Sequence, residues 1–452
     1  MFGSGRAALC IGVVMSVSLV AFEAMSVATI MPVASNYLGG LGGYGWAFSA
    51  FMLANVVGTI ATGQAADARG PSAPFAAGLV VAAAGLLVAG LATSWPMFVV
   101  GRALQGLGGG AVMTTGYLTV RLGFPERLRA RVLALISSAW VVPALVGPAV
   151  AGVLADRWSW RYVFVGLVPL LLAAAALMLP SLRKLGGATG ARLDPHVLVR
   201  AVQLAAGVGL LLAGLQGRGW HGAALLIAGI GLAVAAARHL LPSGTLLAAP
   251  GLPAGLLTRG LLCFCYFGAE AFLPLGLTSL RGLSPGGAGL ALSAAACTWF
   301  GGTWLSARLD AMFGSEGRRL RVIGGFLVTA IGVIGMAAGV LTSTLPIAAV
   351  MAFWALGALG MGLVYPTLSV IVLGLAPAGQ EGRASSSLNF AENVGIAMGA
   401  GFASAAVDWT HALGWSQHGS IGVAYLVVIV PGLLGIVTAF RVFRAPSLVR
   451  AA

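Results

Sequence analysis

Runs of about 20 apolar residues recur along almost the whole chain, separated by short stretches that hold most of its arginines. Such a run is long enough to cross the hydrocarbon core of a bilayer as a helix. Within lipid, only helices and closed barrels satisfy every backbone polar group. The pattern predicts helices near 8–38, 45–66, 75–93, 97–120, 130–155 and 160–180, then a more polar connector from Ser181 to Pro195. Two further helices are expected near 197–217 and 222–241, and six more near 255–280, 287–309, 321–341, 345–375, 384–408 and 420–441. The expected fold is all-α and integral to the membrane. It has fourteen transmembrane helices: two pseudo-symmetric six-helix bundles, 1–180 and 251–452, and two extra central helices carried by a connector at 181–250.

A cleaved leader is the competing reading of the first run, since Arg6 precedes it. The run continues past Glu23 to Tyr37, however, and has a partner in mid-chain, so a retained helix is expected. That partner belongs to an internal repeat. Gly43-Tyr-Gly-Trp-Ala-Phe-Ser-Ala50 returns as Gly287-Ala-Gly-Leu-Ala-Leu-Ser-Ala294, and Gly58-Thr59 as Gly302-Thr303. Upstream, Glu23-Ala24-Met25 returns as Glu270-Ala271-Phe272. A long repeat in a membrane chain implies two similar halves with a ligand site between them.

Composition sharpens this picture. The chain is 59% hydrophobic and 8% charged, whereas about a quarter of a soluble domain is charged. A net charge of +14 would suggest nucleic acid in a soluble protein. Here the basic residues punctuate apolar runs and report orientation instead, so no nucleic-acid partner is expected. With a cytoplasmic N-terminus, 20 of the 25 basic residues, Arg259 among them, fall on the cytoplasmic side. Arg157, Arg161, Arg218 and Arg281 fall outside, and Arg102 is left inside a helix. Both termini are thus expected in the cytoplasm, with no appended soluble domain. The Ala-, Gly- and Arg-rich composition associates with a GC-rich bacterium. Cys10, Cys263, Cys265 and Cys297 lie in apolar segments without Cys/His ligand spacing, so they read as core thiols rather than disulfides or metal ligands. No catalytic triad, P-loop or haem signature is present, so neither an enzyme nor a cofactor is expected, beyond protons as a coupling ion.

Most acidic residues lie at helix ends and in loops. Glu23, Glu270 and Glu392 do not. Counted from Ala8, Glu23 is ~22 Å along its helix, near mid-bilayer. Charges at that depth are costly and usually mark ion or substrate sites. Three carboxylates around one low-dielectric cavity would take up and release protons near neutral pH, and Arg102 is the natural counter-charge for one of them. A static, hydrogen-bonded glutamate or a fixed ion pair is the alternative reading of each. Asn55, Trp140, Tyr266, Trp299, Tyr365, Asn389 and Asn393 are candidates for a cavity wall suited to flat apolar or cationic ligands, although most single aromatics in such helices simply pack. Pro32, Pro143, Pro148, Pro274 and Pro366 should bend their helices.

Five stretches in order resemble the major facilitator superfamily, and within it the fourteen-helix drug/proton antiporter branch. Glu23 and Pro32 fall on the acid and proline of the first-helix motif Leu-Asp-x-Thr-Ile-Val-Asn-Val-Ala-Leu-Pro, with Met25 and Ala28 replacing its Thr and Asn. Gly63, Asp67 and Gly70 resemble the loop after helix 2, whose arginines give way to Ala68 and Pro71. Arg102, Gln105, Gly106 and Gly108 match Arg-x-x-Gln-Gly-x-Gly of helix 4 in full. Gly147, Pro148 and Gly152 match the antiporter motif of helix 5, with Pro143 and Ala151 as departures, and Trp160-Arg161-Tyr162-Val163-Phe164 with Pro169 resembles the start of helix 6. The later half is similar in hydropathy and repeat rather than in sharp motifs. Where many relatives carry a helix 11 arginine, Glu392 stands before Asn393-Val394-Gly395. Arg102 must then partner the first-helix acid alone, or Glu392 is itself a proton or cation site.

The resemblance implies proton-coupled export of small amphipathic or apolar compounds, such as drugs or metabolites. It implies alternating access in a bacterial inner membrane, by a monomer whose partners are substrate, protons and lipid. A lipid or envelope-precursor exporter and a transport-deficient sensor or scaffold remain the other readings.

Overall fold

The computed structural model describes residues 4–185, 193–378 and 380–444. Residues 186–192 of the connector, the C-terminal 445–452 and the side chain of Arg6 lie outside the described residues, and with them the expected placements of Arg192 and Arg450. The chain forms two compact units, Met1–Gly209 with Ser284–Leu290, and Leu210–Leu283 with Ala291–Ala452.

Unit 1 holds α1 (Ser4–Leu38), α2 (Trp46–Arg69), α3 (Ser72–Gly90), α4 (Trp95–Gly123), α5 (Glu126–Ser138), α6 (Val141–Arg157), α7 (Arg161–Val165) and α8 (Leu167–Lys184), with most of α9 (Pro195–Gln216). Unit 2 holds α10 (Gly219–Leu240), α11 (Leu252–Ser279), most of α12 (Pro285–Phe313), α13 (Arg318–Leu341), α14 (Ile347–Gly374), α15 (Glu381–Ala412) and α16 (Gln417–Val442). Each predicted run falls on helix, but two are broken. The run at 130–155 divides at Ala139–Trp140, where Pro143 has no N–H for the Ala139 carbonyl four residues back. The run at 160–180 divides at Gly166, where Pro169 denies the Val165 carbonyl its donor in the same way.

Among the described residues, twelve helical spans are long and apolar enough to cross a membrane. α4 and α12 are not among them although each has 29 residues. Glycines and polar side chains dilute their apolar character, and those are the residues that let other helices approach.

The repeat serves the same packing in each unit. Gly58 of α2 faces the backbone carbonyl of Leu107 on α4, and Gly302 of α12 faces that of Leu359 on α14. In both cases a Cβ would collide with the carbonyl oxygen. Close approach of this kind takes the place of the hydrophobic effect, which gives little association between helices in lipid. The helix 5 motif also reads as packing: Gly147 leaves room for Ser26 of α1, and a Cβ on Gly152 would lie 2.6 Å from Gly286 Cα at the start of α12. Gly70 ends α2 at φ +85°, a conformation that favours glycine.

Arg161, one of the four arginines outside the cytoplasmic bias, is a clamp. It donates to the Ala92 carbonyl at 2.7 Å and lies over the rings of Tyr37 and Trp160, at 4.6 and 4.5 Å. Cys10, Cys263 and Cys265 are buried, but Cys297 is exposed, which corrects its reading as a core thiol. It shares one face of α12 with Leu290, Ala294, Gly301 and Trp304, all exposed and spaced three or four residues apart.

Adjacent glycines of α12 test this packing. Gly302→Val should lower stability by roughly 1–3 kcal/mol through overpacking, read as a drop in the unfolding temperature of the detergent-solubilised protein. Gly301→Ala, whose Cβ meets nothing within 4 Å, should leave it unchanged.

Candidate functional site

In unit 1, the helix 4 motif converges on the first-helix acid. Arg102 of α4 and Glu23 of α1 form an ion pair through Nη1 and Oε1, with 2% and 6% of each residue exposed. Arg102 Nη1 also donates to Gln105 Oε1, and its Nε donates to the Ala47 carbonyl of α2 at 3.0 Å. The guanidinium lies 4.4 Å from the centre of the Phe51 ring. Gln105 in turn donates to the Gly85 carbonyl of α3 at 3.0 Å. Four helices thus hold one pair of charges. Gly106 lets α4 lie against the Phe51 backbone, which brings Arg102 within reach of α2.

The chemistry open to this cluster follows from its asymmetry. Among the described residues Glu23 has one partner, while Arg102 has four: Glu23, Gln105, the Ala47 carbonyl and the Phe51 ring. If Glu23 takes up a proton, the guanidinium keeps three of them, so the uncompensated charge is not left bare. A cavity of about 30 Å³ adjoins Glu23 and Gln105, walled by Leu19, Ala82, Leu86 and Leu171. That volume admits a water. Glu23 is therefore gripped by a cation yet borders a space that water can enter.

Unit 2 carries the other two carboxylates in different settings. Tyr365 of α14 donates its hydroxyl to Glu392 Oε2 of α15 at 2.6 Å. Glu270 of α11, half-buried, makes no hydrogen bond or ion pair among the described residues. Tyr266 is buried and stacks on Trp354 at 4.5 Å, and Trp299 lies 5.6 Å from Tyr266 and 5.8 Å from Tyr365. The expected wall residues Tyr266, Trp299 and Tyr365 are thus brought together beside Glu392. In unit 1, Asn55 donates to the Gly106 carbonyl at 3.3 Å, and Trp140 sits half-buried at the break between α5 and α6. Asn389 is exposed, and Asn393 donates to the Asn389 carbonyl one turn back on α15 at 2.9 Å.

Two groups escape the sequence reading. Arg259 is not at a helix end: it lies seven residues into α11, ~10 Å along the helix, and only 1% of it is exposed. The predicted span began at 255, four residues before it, which was the available signal. The second group is the counterpart of Asp67. Asp67 is exposed near the end of α2, and 243 residues on, Asp310 lies in the last turn of α12 in the grip of Arg318 (2.8 and 3.0 Å) and Arg321 (2.5 Å). Asp310 lies just beyond the predicted span 287–309. The hydrogen bonds from Arg318, joined by those of Arg321, hold its carboxyl down to about 2. The arginines absent after α2 are present after α12.

This geometry defines a multi-pass integral membrane protein with charged and aromatic groups enclosed by its helices. The major facilitator superfamily model matches residues 13–400, and the chain belongs to that family. It is 28% identical over 422 residues to a probable multidrug-efflux transporter of Mycobacterium tuberculosis, covering 87% of this chain and 86% of that one. Its fold resembles a POT family transporter solved in complex with a thioalcohol-conjugated peptide, at a TM-score of 0.71 and 14% identity over 96% of each chain. It also resembles the Escherichia coli xylose transporter XylE, at 0.63 and 13%, covering 96% of this chain and 98% of that one. The protein is a transporter of small molecules and not an enzyme.

Arg102→Met should leave Glu23 buried without a partner and lower stability by roughly 3–5 kcal/mol. Adding Glu23→Gln should recover most of that loss in thermal unfolding. Equal destabilisation of the single and double variants would show that the pair is not what Arg102 supports.

Proposed function

We propose that this protein is a proton-coupled antiporter that exports small amphipathic or apolar compounds across the cytoplasmic membrane by alternating access. The observation that carries this reading is the Glu23–Arg102–Gln105 cluster, a carboxylate buried in an apolar helix bundle beside a cavity large enough for water. Likeness to multidrug-efflux transporters supports the substrate class. In this reading α4 and α12 span the membrane with the other helices, giving fourteen. Residues 1–180 and 251–452 are the two bundles, α9 and α10 are the extra pair, and both termini are cytoplasmic. A proton reaching Glu23 from outside releases it from Arg102, and the proton leaves inward after the access changes side. Glu392 and Glu270 are further proton or cation sites, and Tyr266, Trp299 and Tyr365 contact substrate. Gly147, Pro148 and Gly152 let α1, α6 and the start of α12 pack closely enough to shift against one another, and Asp67 with Gly70 steadies one state.

A lipid-like substrate has one observation in its favour: an apolar cleft of about 320 Å³ between α1 and α5, lined by Cys10, Ile11, Val14, Met15 and Leu135.

The test is transport in proteoliposomes with and without a pH gradient, using a panel of amphipathic dyes and a lipid analogue. Gradient-driven accumulation of a dye is expected, and Glu23→Gln should lose it while still letting dye equilibrate. Uphill transport by Glu23→Gln at the wild-type rate rejects the assignment. Movement of the lipid analogue alone would favour the second reading, and no proton flux with any compound would favour a sensor or scaffold.

A further inference from the structure

Among the described residues, Arg259 alone leaves two buried side-chain nitrogens without a hydrogen-bond partner, Nε and Nη1. Its Nη2 donates to the Tyr365 carbonyl at 2.9 Å and to Ser369 Oγ, and its guanidinium carbon lies 3.6 Å from the centre of the Tyr365 ring. Three of the five guanidinium N–H groups therefore have no acceptor. A buried cation with unmet donors is costly to keep. Arg102, the comparable residue of unit 1, has partners on both Nε and Nη1.

The carboxylate on the far side of Tyr365 does not fill this gap. Glu392 makes no ion pair with Arg259, because Tyr365 stands between them with its ring face on the guanidinium and its hydroxyl on the carboxylate. Cys263, one turn along α11 from Arg259, is buried in the same region. Beside this separated pair lie the half-buried Trp299 and the buried Tyr266. A cation with free donors, a carboxylate and an aromatic wall thus lie together on α11, α12, α14 and α15 of one unit.

We propose that this cluster is a substrate site for aromatic zwitterions, with Arg259 taking a carboxylate, Glu392 a protonated amine, and Trp299 and Tyr365 the ring. The proposal rests on the antiport reading and gives it a substrate class. A zwitterion leaves the site neutral. A cation alone leaves Arg259 unmatched, and an anion alone is opposed by Glu392. An amine on Glu392 also takes the place a proton would occupy there, so substrate and proton exclude each other, as exchange requires. Ser369 holds Nη2 and acts as a positioning residue.

The test uses the full chain in proteoliposomes with a pH gradient and three matched probes: dansyl-lysine, its methyl ester and its Nα-acetyl derivative. The expected result is a KM for dansyl-lysine about tenfold or more below those of the other two, as a charge-assisted hydrogen bond implies. In Arg259→Gln the ratio of ester to zwitterion KM should fall to about one. In Arg259→Lys, which keeps the charge without the planar fork, it should be intermediate, and this variant serves if the Gln protein does not fold. Equal KM values in the wild type, or an unchanged ratio in both variants, overturn the proposal. Gradient-driven transport of the ester without any preference for the zwitterion rejects this site and leaves the antiport reading standing. No gradient-dependent movement of any probe rejects the site and counts against that reading as well.

Discussion

A carboxylate and a guanidinium buried side by side in an apolar bundle constrain everything around them. Removing either charge from water costs several kcal/mol, so Glu23 and Arg102 persist only because their surroundings replace what water gave. Arg102 takes the Ala47 carbonyl, Gln105 and the Phe51 ring as well as the carboxylate. Gln105 passes the restraint on to α3 through Gly85. The glycines of the same motif then acquire a second role, because α4 must lie against its neighbours for these bonds to reach. Packing and electrostatics are satisfied here by one short sequence, Arg102 to Gly108.

Unit 2 repeats the packing but not the charges. Gly302 approaches α14 as Gly58 approaches α4, yet Glu270, in the place of Glu23, makes no ion pair among the described residues, while a further acid stands on α15 and the buried arginine on α11. Between them Tyr365 keeps the charges apart, where in unit 1 they touch. A matched pair is stable by itself and needs a proton to open it. A separated pair leaves hydrogen-bonding capacity for something else. The two halves thus share a scaffold and differ in which charges are already satisfied, a division that suits one unit to proton exchange and the other to ligand recognition.

Much of this was legible in the sequence. Hydropathy located the helices because lipid exposes no backbone, and the helix 4 motif named Arg102 and Gln105 together. What it did not resolve has physical causes. Window averaging smooths over a single missing N–H, so the breaks at Ala139–Trp140 and Gly166 were invisible although Pro143 and Pro169 announce them. Helical phase is weak evidence when both faces of a helix are apolar, so Cys297 passed for a core residue. Arg259 was read by its nearness to a span end, where arginines normally meet water. Only the fold shows that α11 begins early enough to bury it. The pairing of Asp310 with Arg318 and Arg321 was missed because Arg318 and Arg321 lie eight and eleven residues away, outside the spacing of the loop after helix 2.

The central claim is that Glu23 exchanges Arg102 for a proton while remaining inside the bundle. Infrared difference spectroscopy of the reconstituted protein reads that event directly, through the carbonyl stretch of a protonated carboxylic acid in an apolar setting. On acidification the account predicts such a band in the wild type, the loss of its Glu23 component in Glu23→Gln, and a decrease when a transported compound is added at the same pH. A band that persists unchanged in Glu23→Gln, or a wild-type spectrum without one over the pH range in which transport occurs, would contradict it.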